Sequence, residues 1–219
     1  GKTPRGIAVD SSGNVYTSNL ADNTVTKITS GGASSVLGTT GAKPIDVAVD
    51  SAGNVYTTNY ADSTVTKITP GGASSVLAAT GSRPLGITLD PQGNVYTANE
   101  GANTVTKITP GGAASTFGKT GAWPQAIAID RSGNIYTANW VSNNVSKITP
   151  SGKSTIYGKT GKKPIGLVVD PYGSVFTTND GANSVSKISR QGRSKVIAST
   201  GRRPIGIASD AAGFLYTAN

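Results

Sequence analysis

Between Gly6 and Leu37 the chain carries four short runs rich in β-branched and aromatic residues, none with the period of an amphipathic helix. They are Gly6-Ile7-Ala8-Val9, Asn14-Val15-Tyr16-Thr17, Thr24-Val25-Thr26-Lys27-Ile28-Thr29 and Ser34-Ser35-Val36-Leu37. Polar, glycine-bearing segments separate them. Asp10-Ser11-Ser12-Gly13-Asn14 has hairpin chemistry, with Gly13 supplying a positive φ and Asp10 accepting from backbone N–H groups. Pro70-Gly71-Gly72, or a near equivalent, turns the chain between the third and fourth runs. The prediction is four antiparallel strands per unit, the content of one β-propeller blade.

The unit then repeats every forty residues without insertion or deletion. Gly1, Gly41, Gly81, Gly121, Gly161 and Gly201 open successive copies, and Pro4, Pro44, Pro84, Pro124, Pro164 and Pro204 follow in register. A lone four-stranded sheet cannot bury both faces, so each copy has to pack on its neighbours. The expected fold is all-β: a single propeller domain over 1–219, with copies 1–40, 41–80, 81–120, 121–160 and 161–200 and a partial copy 201–219. Small residues such as Gly6 and Ala8 suit a crowded innermost strand. Tyr16, Tyr56, Tyr96, Tyr136, Phe176 and Tyr216 suit wedges between blades. Five blades and half of a sixth point to a six-bladed parent of which this chain is a fragment, with unpaired strand edges available for self-association. Gly1 in place of a methionine points to a processed start.

Composition narrows the chemistry. The chain has no Cys and no His, which removes thiolate nucleophiles, imidazole bases, disulfides and the common zinc sites. No apolar run approaches the roughly 20 residues that span a bilayer. The formal net charge is +9, and ten of the twenty Lys and Arg fall within 151–203 with only Asp170 and Asp180 opposing them. Such an excess favours an acidic partner.

The pattern running from Pro4 through Gly6-Ile7-Ala8-Val9-Asp10 and Gly13-Asn14-Val15-Tyr16-Thr17 to Asn19, continued by Asn103-Thr104-Val105-Thr106-Lys107-Ile108-Thr109-Pro110-Gly111-Gly112, resembles the NHL-type repeat. It is also similar to the repeats of the virginiamycin B lyase family, and its Tyr-Thr-x-Asn resembles the YVTN repeats of surface-layer propellers. The resemblance implies the propeller and leaves function open among sensors, scaffolds, RNA binders and lyases. Lyase relatives use catalytic histidines and magnesium, and lactonase-like propellers hold a divalent cation with Glu, Asn and Asp. With no His and a single Glu, Glu100, placed in a loop, the expectation is a non-catalytic chain with no cofactor and no metal.

In a propeller, the loop entering each first strand and the loop joining the second and third strands share one face. There the copies diverge, at Lys43, Arg83, Trp123, Lys163 and Arg203 before the proline, and at Tyr60 and Trp140 after the Asn19, Asn59, Asn99, Asn139 and Asn179 series. Aromatic and basic side chains of this kind mark recognition surfaces. The expected ligand-binding residues are therefore Trp123, Trp140, Tyr60, Arg83, Lys43, Lys163 and Arg203, for a protein, peptide or glycan partner, with an extracellular or cell-surface location. Alternatives are a polyanion such as RNA bound by the basic face, a lyase- or lactonase-like enzyme, and a self-assembling structural protein. The Lys27 series is expected to cover apolar surface with its stem, the Asp10 series to form turns, and the Asn19 series to form turns or line a channel mouth. Arg190, Arg193 and Lys195 add a basic patch near the opposite face.

Overall fold

The computed structural model describes residues 1–210 and 212–219. It is all-β, with five four-stranded sheets and one two-stranded sheet. In the first repeat the strands are Pro4–Val9, Val15–Asn19, Thr24–Ile28 and Ser34–Thr39, paired antiparallel in chain order. The same order recurs in the next four copies, and Ile207–Ser209 with Leu215–Thr217 form the final pair. These sheets are the blades expected from the repeat. The chain divides into two compact units, Gly1–Ala102 with Thr106–Thr116, and Asn103–Val105 with Phe117–Asn219.

Within the first unit, Tyr16 and Val25 of one blade pack with Val47, Val55 and Ile68 of the next, and Tyr56 and Val65 pack with Ile87, Val95 and Ile108. In the second unit Tyr136 and Val145 pack with Val175 and Ile188. Tyr16, Tyr56 and Tyr136 are therefore the wedges between blades that their periodicity suggested, whereas Tyr216, in the final strand pair, is 58% exposed and wedges nothing. They also have polar work. The Tyr16 hydroxyl donates to Asp10 Oδ2 at 2.9 Å, and Asn14 Nδ2 donates to the same oxygen at 2.8 Å. Asp10 Oδ1 accepts from the backbone N–H of Ser12 and Asn14, which closes the turn while Gly13 takes φ +78°. The hydrogen bond from Asn14, with those from the other donors, holds the Asp10 carboxyl down at about 2, and burial of the ring together with the Asp10 carboxylate pushes the Tyr16 phenol up to about 12.

Hydroxyls stitch first strands to one another. Ser18 Oγ accepts from Gly6 N–H and donates to Ile45 C=O, and Thr58 does the same between Asp46 N–H and Leu85 C=O. In the second unit Thr178 joins Gly166 N–H to Ile205 C=O. The Asn19 series is buried within each blade: Asn139 Nδ2 donates to Asn144 Oδ1 and Ser146 Oγ, and its Oδ1 accepts from Thr137 Oγ1. It is a clamp between second and third strands. Each lysine of the Lys27 series sets its ammonium over the neighbouring aromatic ring, Lys27 at 5.7 Å from the Tyr16 centroid, so stem coverage is joined by a cation–π contact.

Candidate functional site

The loop residues singled out from the sequence lie beside one another in pairs. The backbone N–H of Tyr60 donates to Lys43 C=O, that of Glu100 to Arg83 C=O, that of Trp140 to Trp123 C=O, and that of Asp180 to Lys163 C=O. This places the two variable loop positions of each copy side by side, as the blade topology requires. Lys43, Arg83, Trp123, Lys163 and Arg203 all have positive φ, 53° to 58°. A non-glycine residue held there carries about 1–2 kcal/mol of local strain. The preceding repeat offsets it: Asn23, Asn103, Asn143 and Asn183 accept the N–H of Lys43, Trp123, Lys163 and Arg203 through their side-chain oxygens.

In the first unit the Tyr60 hydroxyl donates to Glu100 Oε2 at 3.1 Å, and Arg83 approaches the same oxygen at 3.6 Å. In the second unit Trp123 and Trp140 stack, with centroids 5.5 Å apart and planes 13° from parallel. Lys163 Nζ lies 4.6 Å from the Trp140 centroid, and Trp123 is 43% exposed. Arg203 pairs with Asp180 at 3.4 Å. Arg83 thus meets the acid of its own copy and Arg203 the acid of the preceding one, while Lys43 remains an exposed cation. The Arg190, Arg193 and Lys195 patch is divided: Arg193 and Lys195 line one groove with Lys187, and Arg190 lines another with Asp170.

The residue that sequence reasoning passed over is Asp46. Six of the eleven acids belong to the Asp10 turn series and four, Asp22, Asp62, Glu100 and Asp180, to the loops after the Asn19 series; Asp46 belongs to neither. Its position in the repeat is otherwise Gly6, Gly86, Ala126, Gly166 and Gly206, so one acid among five small residues was the available signal. Asp46 lies on the first strand of its blade, wedged between the first strands on either side. Oδ1 accepts from Val47 N–H at 2.9 Å and Oδ2 from Ile87 N–H at 3.1 Å. A Cβ on Gly6 would stand 2.7 Å from Asp46 Cα, 2.8 Å from Oδ1 and 2.9 Å from Ile45 O, so glycine opposite is what lets the two first strands approach with the carboxylate between them. Burial outweighs the two N–H bonds and raises the carboxyl from 3.8 to about 6.

The virginiamycin B lyase family model matches residues 1–219, the whole chain. The chain belongs to that family. A search of curated proteins gives no match. Among solved structures, virginiamycin B lyase from Staphylococcus aureus is 22% identical, with a TM-score of 0.86 over 98% of this chain and 76% of that one. A catalytically inactive histidine-to-alanine form of that lyase, solved with quinupristin, is 23% identical with the same TM-score and coverage. A gluconolactonase from Xanthomonas campestris is 14% identical, with a TM-score of 0.77 over 99% of this chain and 82% of that one. At these identities the structures share the propeller fold.

Family membership corrects the expectation of a non-catalytic chain, since the family is named for a lyase and the similar structures include two enzymes. The physical reason is that the missing histidine excludes imidazole chemistry alone and leaves carboxylates in play. The magnesium of the lyase relatives finds no fitting donor set, because among the described residues no three His, Cys, Asp or Glu converge. Among the described residues no helix is long and apolar enough to cross a membrane.

Proposed function

We propose that this chain is a lyase- or lactonase-like enzyme in which Asp46 is the proton-transferring group. The family match along the whole chain carries the reading. Both reaction classes need a base. An elimination takes a proton from carbon as the leaving oxygen departs, and hydrolysis of a cyclic ester takes one from the attacking water. With no imidazole or thiolate in the chain, a carboxylate tuned toward neutrality is the best-matched base, and two of its four lone-pair positions remain for substrate.

The test is incubation with quinupristin and with gluconolactone, followed by mass spectrometry. Elimination leaves the product mass equal to that of the substrate, and hydrolysis adds one water. Turnover of one of them is expected, with a loss of about a hundredfold or more in Asp46→Asn and no loss in the loop variant Asp22→Asn. Failure of both substrates, or a wild-type rate in Asp46→Asn, rejects the reading.

A second reading, recognition of a glycan, peptide or protein at the Trp123–Trp140 stack, is favoured by the partial exposure of Trp123 and by the Lys163 cation over Trp140. These are the only two tryptophans, so intrinsic tryptophan fluorescence reports this surface alone. A ligand seated there is expected to shift that emission, and Trp140→Ala to weaken it by about 2 kcal/mol or more. A ligand that binds with unchanged emission lies elsewhere.

A further inference from the structure

A second cavity opens at the turn side of the fourth and fifth blades, about 230 Å³ in volume. Asp130, Arg131, Lys147, Asp170, Tyr172 and Arg190 contribute to its wall. It stands where the fourth and fifth copies depart from the residues usual in the repeat. Arg131 replaces the Ser11, Ser51 or Pro91 of other copies, Tyr172 replaces Ser12, Ala52, Gln92 or Ser132, and Arg190 replaces Ser30 or the prolines Pro70, Pro110 and Pro150. In the fifth copy Ser174 and Phe176 also stand where the first four have asparagine and tyrosine.

Those last two changes alter the chemistry of one oxygen. In the fourth blade Asp130 Oδ2 accepts from Asn134 Nδ2 at 2.8 Å and from the Tyr136 hydroxyl at 3.1 Å. In the fifth, Asp170 Oδ1 keeps its turn bonds from Tyr172 and Ser174 N–H, at 2.9 and 2.8 Å, but the short Ser174 hydroxyl makes no bond to Oδ2 and Phe176 has no hydroxyl to offer. The carboxylate that every earlier blade spends on its own turn here offers an oxygen to the cavity. Lys147 forms no ion pair with it, and its ammonium sits over the Tyr136 and Tyr157 rings, 5.5 and 5.4 Å from their centroids. Two guanidinium groups, Arg131 and Arg190, and a tyrosine ring that is 82% exposed complete the wall.

We infer that this cavity binds a small acidic sugar: a hydroxylated ring whose hydroxyl donates to Asp170 Oδ2, whose carboxylate meets Arg131 and Arg190, and whose C–H face lies on Tyr172. The assignment follows from complementarity. An unengaged carboxylate oxygen asks for a donor, two guanidinium forks ask for a carboxylate, and a flat exposed ring suits a sugar face. A volume below the ~300 Å³ at which drug-sized pockets begin matches a single ring. Three cations against two carboxylates make the site electropositive, which disfavours a free amino group in the ligand.

The experiment is titration calorimetry of the whole chain with D-glucuronate, D-glucose, glycine and inorganic phosphate. It is repeated on the double variant Ser174→Asn/Phe176→Tyr, which restores the asparagine and tyrosine of the other blades. That pair is already folded in four sister copies, and a thermal melt at or above the wild-type temperature confirms the variant's integrity. Glucuronate is expected to bind with a millimolar or better Kd, and glucose, glycine and phosphate more weakly. The double variant should bind glucuronate about tenfold or more weakly, as one charge-assisted hydrogen bond is lost. Glucuronate binding that the double variant leaves unchanged, phosphate or glycine bound as tightly as glucuronate, or no binding of glucuronate at millimolar concentration would each overturn the assignment.

Discussion

Asp46→Asn should gain stability over the wild type as pH rises from 4 to 7, by about 3 kcal/mol in the difference between the two proteins. The direction follows from the raised carboxyl, at about 6 in the fold against 3.8 ordinarily, with burial as the cause. Between those values the folded chain holds a proton that the unfolded chain has released. The contribution of this group is fully present below 3.8 and is lost as pH climbs through about 6. The magnitude is the span between the two values at about 1.4 kcal/mol per pKa unit. Asparagine has no charge to desolvate, so its background carries no such slope. Urea denaturation across pH tests this, and a pH-independent difference would show that the carboxylate is not desolvated. The turn acids act in the opposite sense: although burial raises Asp50 and Asp130, hydrogen bonds from Asn54 and Asn134, from Tyr56 and Tyr136 and from turn N–H groups hold both below the ordinary range, so their share of stability falls away in acid. The same variant is expected to lose the activity proposed for Asp46. Because asparagine accepts only one of the two N–H groups that Asp46 holds, the diagnostic quantity is the slope of the difference with pH, together with the loss of turnover.

The second large effect is expected at the buried amide clamp. Asn139→Leu should cost about 3–6 kcal/mol, because it leaves the buried Thr137 hydroxyl without its acceptor and the buried Ser146 and half-buried Asn144 without the donor from Asn139. Ser146 Oγ still accepts Gly121 N–H, so part of the network survives. Adding Thr137→Val removes one orphaned hydroxyl at nearly constant shape and should recover about 1–2 kcal/mol, giving a non-additive cycle by chemical denaturation. A cost below about 1 kcal/mol would mean that water reaches the clamp.

Several features were legible residue by residue. Four β-rich runs between turn segments gave blades because period-two strands and Gly13-type turns are local chemistry. The forty-residue period gave packing between copies because a single sheet has two faces to cover. Tyr16 was readable as a wedge from its register, and its bond to Asp10 follows from the fixed spacing of six residues. The loop pairs were legible too: the topology brings Trp123 beside Trp140, and their stacking follows from that proximity.

What residue order left undecided was the electrostatic state of individual groups. Arg83 and Lys43 look alike as loop cations, yet Arg83 reaches Glu100. Asn19 could be a turn residue or line a channel until its partners Thr24 and Thr26 were in place. Asp46 was one acid in a series of small residues, and its chemistry depends on Ile87 N–H, forty-one positions away, and on the glycine facing it from the preceding blade.

By itself, then, the sequence determined the blade, its repetition and the family, because periodicity and turn chemistry act over neighbouring residues and recur in every copy. Only the tertiary structure decided which carboxylate is desolvated between first strands, which loop cations meet an acid, and which partners bury the Asn19 series. Desolvation and hydrogen-bond satisfaction are set by groups from other strands and loops, and no local pattern encodes their distance.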